Sequence, residues 1–281
     1  MGELLEQTKY LIRAHKIKPG FVAGQNFLIC EDILEAILES SDIQKEDNVL
    51  EIGPGLGVMT KELIKKAGKV LAVEYDKQLI PLIQKLADVN NNLQIINEDI
   101  LRVKNDKIAE HLTEDYMVVA NIPYQITSKI IQKFLTFEPK PSSLTLLVQK
   151  EVAERIVAKA GDLSKLAISV QFYGVPKIVR IVPKTCFWPE PKVDSAVIQI
   201  VIDNRFLDII KKEKVSEKDF WSVVKSGFSN KRKTLVNNLS NSLHLDKEVI
   251  TNSLNKLKLD QNIRAQELSI DDWIHLSKLL I

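Results

Sequence analysis

The sequence predicts an α/β fold: a doubly wound, mostly parallel seven-stranded sheet ending in an antiparallel hairpin, followed by a small all-helical domain. Three observations carry this reading. Short runs rich in Val, Ile and Leu alternate with amphipathic segments through the first two hundred residues, as βαβ units do. Two further strand-like runs then follow with no room for a long helix between them, so they should pair antiparallel. Around "DNRF" (203–206) the strand signal gives out and helical periodicity takes over. The chain therefore divides into residues 1–204 and residues 205–281.

The elements follow in order. "NVLEIG" (48–53) and "VLAVEY" (70–75) are apolar on both faces, as strands covered by helices on each side must be. "TKELIKKA" between them has helical spacing. "LQIINED" (93–99), "MVVANI" (117–122) and "LTLLVQ" (144–149) continue the sheet, with "TSKIIQKFL" (127–135) as an amphipathic helix. "KIVRIV" (177–182) and "SAVIQIVI" (195–202) form the hairpin, joined by "PKTCFWPEPKVD". The helical domain offers "EKDFWSVVKSGFS", "KRKTLVNNLSN", "DKEVITNSLNKLK" and "IDDWIHLSKLLI".

Composition narrows the class. Hydrophobic residues at 45% and charged residues at 27% suit a soluble protein with a real core. The two cysteines, Cys30 and Cys186, form no CxxC pair, which argues against a disulfide framework and for a reducing, cytosolic setting. Four scattered histidines offer no ligand spacing, so no metal is expected. The N-terminus lacks the apolar core of a signal peptide, and no apolar run is long enough to span a bilayer. Gly2 suggests acylation, but Glu6 stands where the motif wants Ser or Thr. Net charge is only +2, yet residues 221–245 hold Lys225, Lys231, Arg232 and Lys233 and no acid. Such a run reads either as a solvated face or as a phosphate-binding surface.

The strongest motif is "VLEIGPGLG" (49–57). Glycines at 53, 55 and 57 stand where a strand turns into a helix, so the backbone can approach a ligand closely. The dinucleotide fingerprint fails, because Val58 stands at its last glycine. E-x-G-x-G-x-G, with Glu51 first, fits and resembles the S-adenosyl-L-methionine loop of Rossmann-like class I methyltransferases. Glu74 ends the next strand, 21 residues after Gly53, where a carboxylate can accept both ribose hydroxyl protons. Asp99 in "NEDIL" is placed to accept from the adenine amino group.

"NIPY" ends the fourth strand, beside the reacting methyl group if the first three hold the donor. An adenine amine is a poor nucleophile because its lone pair is delocalised into the ring. The Asn121 amide oxygen and a backbone carbonyl, Ile122 or Pro123, can accept both amino hydrogens and aim the lone pair at the methyl carbon. Positioning and fixed dipoles supply the effect without a strong base. Pro123 fixes the turn, and Tyr124 offers a flat face for an extruded base. Phe187, in "FWPEPKVDSAV", is a second stacking candidate, whereas Trp188 reads as packing.

Taken together, "GQNFL", "EIGPGLG", "NIPY", "FWPEPKVDSAV", "GFSNKRKTLVNNL" and "RAQELSIDDW" resemble, in order and over nearly the whole chain, the KsgA-type small-subunit (16S) rRNA adenine dimethyltransferases. The resemblance implies dimethylation of two adjacent adenines near the 3′ end of that rRNA, with S-adenosyl-L-methionine as donor. It implies a cytoplasmic monomer acting on small-subunit rRNA and the immature 30S particle. By position it assigns Asn26, Leu28, Gly53, Glu74, Asp99 and Asn121 to the donor, and Asn121 and Tyr124 to catalysis as well. On the residues themselves, Gly55 joins the donor set, and Ile122, Pro123 and Phe187 join the catalytic set. Lys225, Lys231, Arg232 and Lys233 fall to the RNA. The chain departs from the family pattern in reading "PGFVAGQ" where a basic "KKxLGQ" is usual, and in Asn26 where His is common. Two other readings stay open: an Erm-type large-subunit rRNA methyltransferase, and a non-catalytic assembly or transcription factor on the same fold.

Overall fold

The computed structural model describes residues 2–17, 25–113 and 115–281. The "PGFVAGQ" approach lies, Gln25 aside, outside the described residues. The strands are β1 (Phe27–Leu28), β2 (Asn48–Ile52), β3 (Lys69–Glu74), β4 (Leu93–Asn97), β5 (Met117–Asn121), β6 (Ser143–Gln149), β7 (Gly174–Val182), β8 (Phe187–Trp188) and β9 (Ser195–Ile202). Seven of them form one sheet in the order β4-β3-β2-β5-β6-β9-β7. Pairing is parallel from β4 across to β6, and β9 runs antiparallel to β6. The expected terminal hairpin puts β9 inside the sheet, between β6 and β7.

The sheet winds outward in both directions from β2: β3 and β4 lie to one side, β5 and β6 to the other. A crevice opens at the carboxyl ends of strands where winding reverses, which is where such sheets take ligands. Register brings the chemistry to that edge. Ile52 pairs with both Val73 and Ala120, so Gly53, Glu74 and Asn121 each follow a paired residue by one step. Val49, Leu50, Leu71, Val118 and Val119 are almost wholly buried, which is why these strands read as unbroken apolar runs.

The chain forms two compact units: residues 1–153 with 176–202, and residues 154–175 with 203–281. The boundary after residue 202 lies two residues from the expected one. Residues 154–175, assigned by sequence to the first domain, belong with the helical unit. The reason is aromatic: Phe172 stacks on Phe220 at 4.5 Å and meets Trp221 edge-on at 5.3 Å. Trp221 Nε1 donates to the Tyr173 hydroxyl, which in turn donates to Glu217.

Within the helical unit, helices span Arg205–Lys212, Glu217–Gly227, Leu235–Leu243, Lys247–Lys256 and Ile270–Leu280. Ser216 and Ser269 cap two of them, each hydroxyl accepting the backbone N–H three residues on, the arrangement that satisfies a helix's first free donors. The segment "KRKTLVNNLSN" was expected to be helical throughout, but Lys231, Arg232 and Lys233 sit on a turn before the helix. Asn230 makes that turn: its Oδ1 accepts from Arg232 N and its carbonyl from Lys233 N. Local side-chain bonding of this kind competes with helix. Buried Asn238 fixes the approach, donating to the Gly227 and Asn230 carbonyls and accepting from Ser229.

One expectation from composition is overturned. Cys30 and Cys186 are bonded as a disulfide across 156 residues, with their Cα atoms 5.1 Å apart. The sequence offered no sign of this, because the pairing of β1 with β8 that brings them together involves only two residues on each side.

Candidate active site

A cavity of about 550 Å³ opens at the carboxyl edge of β2, β3 and β5, within the usual size of a small-ligand site. Asn26, Leu28, Gly53, Gly55, Glu74, Asn121, Ile122, Pro123 and Tyr124 all line it. Nine of the sequence-assigned residues thus come together from segments spread over a hundred positions. Gly53 and Gly55 have φ of 66° and 59°, which an L side chain would occupy only under strain.

Glu74, 5% exposed, ties the glycine loop to β3. Its Oε2 accepts from Gly55 N at 3.1 Å and its Oε1 from Asp76 N at 2.8 Å. Burial raises its pKa, and those two backbone donors oppose the shift. Each carboxylate oxygen keeps a second acceptor site, so the group can still receive hydroxyl protons.

Glu51 is fully buried beneath the loop and also lines the cavity. Neither carboxyl oxygen has a hydrogen-bond partner. Desolvation pushes its pKa up to about 8; the nearby Thr60 hydroxyl pulls it down and the Glu74 charge adds to the rise.

At the end of β5, Asn121 Nδ2 donates to the Asn26 carbonyl at 3.1 Å. That bond fixes which end of the amide is which and leaves Oδ1 as the acceptor without a protein partner among the described residues. The Pro123 carbonyl accepts Ile126 N at 3.2 Å and is consumed by the following 3-10 turn. The Ile122 carbonyl accepts no hydrogen bond among the described residues. Of the two carbonyls left open by the sequence, Ile122 is therefore the available one. Tyr124 is half-buried, and its hydroxyl meets Ser195 Oγ at 2.8 Å; burial raises its pKa.

Two assigned residues are placed elsewhere. Asp99 is not on the cavity wall; its Oδ1 accepts Leu101 N at 2.9 Å and its carbonyl accepts Arg102 N at 2.8 Å, closing the turn after β4. Phe187 is 2% exposed, packed in the core with Leu28, Val182, Cys186 and Val197. Burying its ring outweighs presenting it, so a stacking role there needs correction. Trp188, read as packing, lies against the cluster that includes Phe27 and Leu56. Sequence reasoning missed Ser195, which positions Tyr124, and Gln25, whose amide donates to Asp76 at 2.9 Å on the cavity rim. Both stand inside motifs quoted above, "KVDSAV" and "GQNFL".

Lys225, Lys231, Arg232 and Lys233 are exposed on the helical unit. Among the described residues none of the four is ion-paired, so their charge is open to an external anion.

Comparison with known proteins gives a consistent picture. The family model described as "Ribosomal RNA adenine dimethylase" matches residues 15–281. A Dehalococcoides mccartyi protein named "Ribosomal RNA small subunit methyltransferase A" is 42% identical over 270 residues, covering 96% of this chain and 91% of its own length. A Clostridium botulinum protein of the same name is 41% identical, covering 96% and 97%. The crystal structure of a dimethyladenosine transferase from Plasmodium falciparum superposes with a TM-score of 0.71 at 25% identity, over 89% of this chain and 95% of that one.

Proposed function

The chain belongs to the ribosomal RNA adenine dimethylase family, and from that premise we propose that it dimethylates two adjacent adenines near the 3′ end of small-subunit rRNA. It is an S-adenosyl-L-methionine-dependent rRNA methyltransferase. The donor supplies an electrophilic methyl group on a positively charged sulfur. The residues present fit it: a cavity of suitable volume, two glycines whose φ leaves the loop open, and a buried carboxylate at the end of β3.

In this reading Glu74 receives the ribose hydroxyls, while Asn26, Leu28, Gly53 and Gly55 form the wall and floor. Asn121 Oδ1 and the Ile122 carbonyl accept the two hydrogens of the target amine, which turns its lone pair toward the methyl group. Tyr124 is the stacking face, held from behind by Ser195. The observation that carries the reading is the Asn121–Asn26 hydrogen bond, since it leaves one amide oxygen free at the turn where the amine must sit. The chain's action as a monomer on an immature 30S particle, in the cytoplasm, follows from the family resemblance. The small-subunit names of the relatives favour this substrate over the large subunit.

The test is methyl transfer from labelled S-adenosyl-L-methionine to unmethylated 30S particles, with 50S particles alongside. Label should appear in 30S rRNA as dimethyladenine. Asn121→Ala should cut turnover by a factor on the order of 100 or more, the cost of removing one preorganised acceptor, with particle binding unchanged. Label confined to 50S rRNA would point to the Erm-type reading, and no label at all to a binding factor.

A further inference from the structure

We propose that Cys30 and Cys186 form a redox-controlled clasp that holds the N-terminal wall of the donor cavity against the catalytic turn. Asn26, Phe27 and Leu28 line the cavity, yet β1 is two residues long and pairs only with β8, itself two residues long. Two-residue strands are marginal on their own. The other noncovalent ties include the Ile29 N to Cys186 carbonyl bond at 2.9 Å, the Gln25–Asp76 and Asn121–Asn26 hydrogen bonds, and the burial of Phe27 and Leu28. The disulfide sits two residues beyond Leu28 and one before Phe187, at the end of this short ladder. It is the one covalent tie between the wall and the β7–β9 connection.

A short physical path links the clasp to the chemistry. Cys186 holds Cys30; Cys30 follows β1; β1 follows Asn26; and the Asn26 carbonyl receives the Asn121 amide. The wall therefore sets which amide atom of Asn121 is left as acceptor. With the disulfide closed, opening of the β1–β8 ladder is suppressed. With it open, residues 25–30 can leave the cavity by local unfolding that breaks only noncovalent contacts, which a closed disulfide would restrain. The donor would then bind a wall that is only part of the time in place, and apparent affinity falls with the populated fraction.

The chemistry balances with ordinary thiols. A low-molecular-weight thiol attacks the sulfur of Cys30, the less buried of the two residues, as thiolate; the S–S bond breaks and Cys186 leaves as thiolate. A second thiolate attacks the small-molecule sulfur of that mixed disulfide and Cys30 leaves as thiolate, leaving two protein thiols and one oxidised small-molecule disulfide. An oxidised low-molecular-weight disulfide runs the sequence in reverse. Cys186, at 8% exposure, is the shielded partner, so exchange enters through Cys30.

The proposal rests on the cavity being the donor site, and the experiment separates the two ideas. The full chain is equilibrated with reduced and oxidised glutathione at set ratios, and thiols are counted by alkylation and mass. Hydrogen exchange is followed at residues 25–30, and S-adenosylhomocysteine affinity is measured by calorimetry. Alkylation should find no free thiol in the oxidised protein and two in the reduced. Reduction should speed exchange at 25–30 and weaken S-adenosylhomocysteine by a factor on the order of ten. The Cys30→Ser, Cys186→Ser double variant should behave as the reduced protein at every ratio. Exchange at 25–30 that is the same in both states would overturn the clasp, whatever the ligand does. Faster exchange on reduction with no S-adenosylhomocysteine binding in either state would support the clasp and remove the cavity assignment instead. Two free thiols at every glutathione ratio would overturn it outright.

Discussion

At the scale of single residues, Glu51 stores a cost. A carboxyl group buried without partners favours its neutral form, and here the pKa rises from 4.5 to about 8. Below 4.5 the group is protonated folded or unfolded and contributes nothing to the difference. Between 4.5 and about 8 the unfolded chain ionises while the folded one holds its proton, so stability falls as pH rises. Above about 8 the full loss is in place, at most about 5 kcal/mol by proton linkage. Glu74, whose pKa is also raised, adds to the same trend. Glu51→Gln should therefore match the wild type in stability near pH 4.5 and exceed it at pH 8. Urea midpoints of the ligand-free protein across that range check this; parallel curves would show Glu51 to be ionised without cost. The motif identified Glu51 by position, but only the fold reveals its burial, because four residues of apolar strand and a helix must close over it.

Between elements, the contact of helix Glu217–Gly227 with helix Ile270–Leu280 turns on one glycine. Helix propensity alone says Gly227→Ala gains about 1 kcal/mol. Packing says otherwise. A Cβ at Gly227 would sit 2.3 Å from Trp273 Cη2, on a ring that is wholly buried. Overpacking of this kind costs about 1–3 kcal/mol or more, so the contact wins and the variant should be destabilised. Chemical denaturation decides the sign. The sequence showed these helices by their periodicity, and all seven sheet strands by apolar runs. It did not show β1 and β8, since two residues make no pattern. Nor did it show the turn at Lys231–Lys233, where Asn230 overrides good helix formers. For Asp99 and Phe187, residue type and strand-end position were legible, but not the turn hydrogen bond that Asp99 accepts or the core packing around Phe187.

At the scale of the whole molecule, charge is distributed rather than abundant. Four cations with no ion pair among the described residues lie on the helical unit of a chain whose net charge is +2. Phosphate contacts set register and give affinity its salt dependence. Reversing Lys231, Arg232 and Lys233 to Glu should weaken binding to 30S particles and flatten the salt dependence, with donor affinity unchanged. Filter binding across a salt series checks it: superimposable curves would make the turn mere surface. Composition alone hid this patch, because acids elsewhere in the chain cancel it in the total. The change from strand signal to helical periodicity near residue 203 was legible. The 154–175 segment was not, since its membership depends on aromatic partners fifty residues downstream.

That segment has a consequence for how the protein is made. The chain passes between the two units three times, so the helical unit is not a C-terminal appendage. Phe172 and Tyr173 leave the ribosome long before Phe220 and Trp221 exist to cover them. During synthesis their rings must wait, exposed or sheltered by a chaperone, until the final third of the chain arrives. For the same reason a stop codon near residue 204 would not release a tidy catalytic domain. It would strand an aromatic surface with nothing to cover it, and gene fusions that exchange only the tail would inherit half of a core.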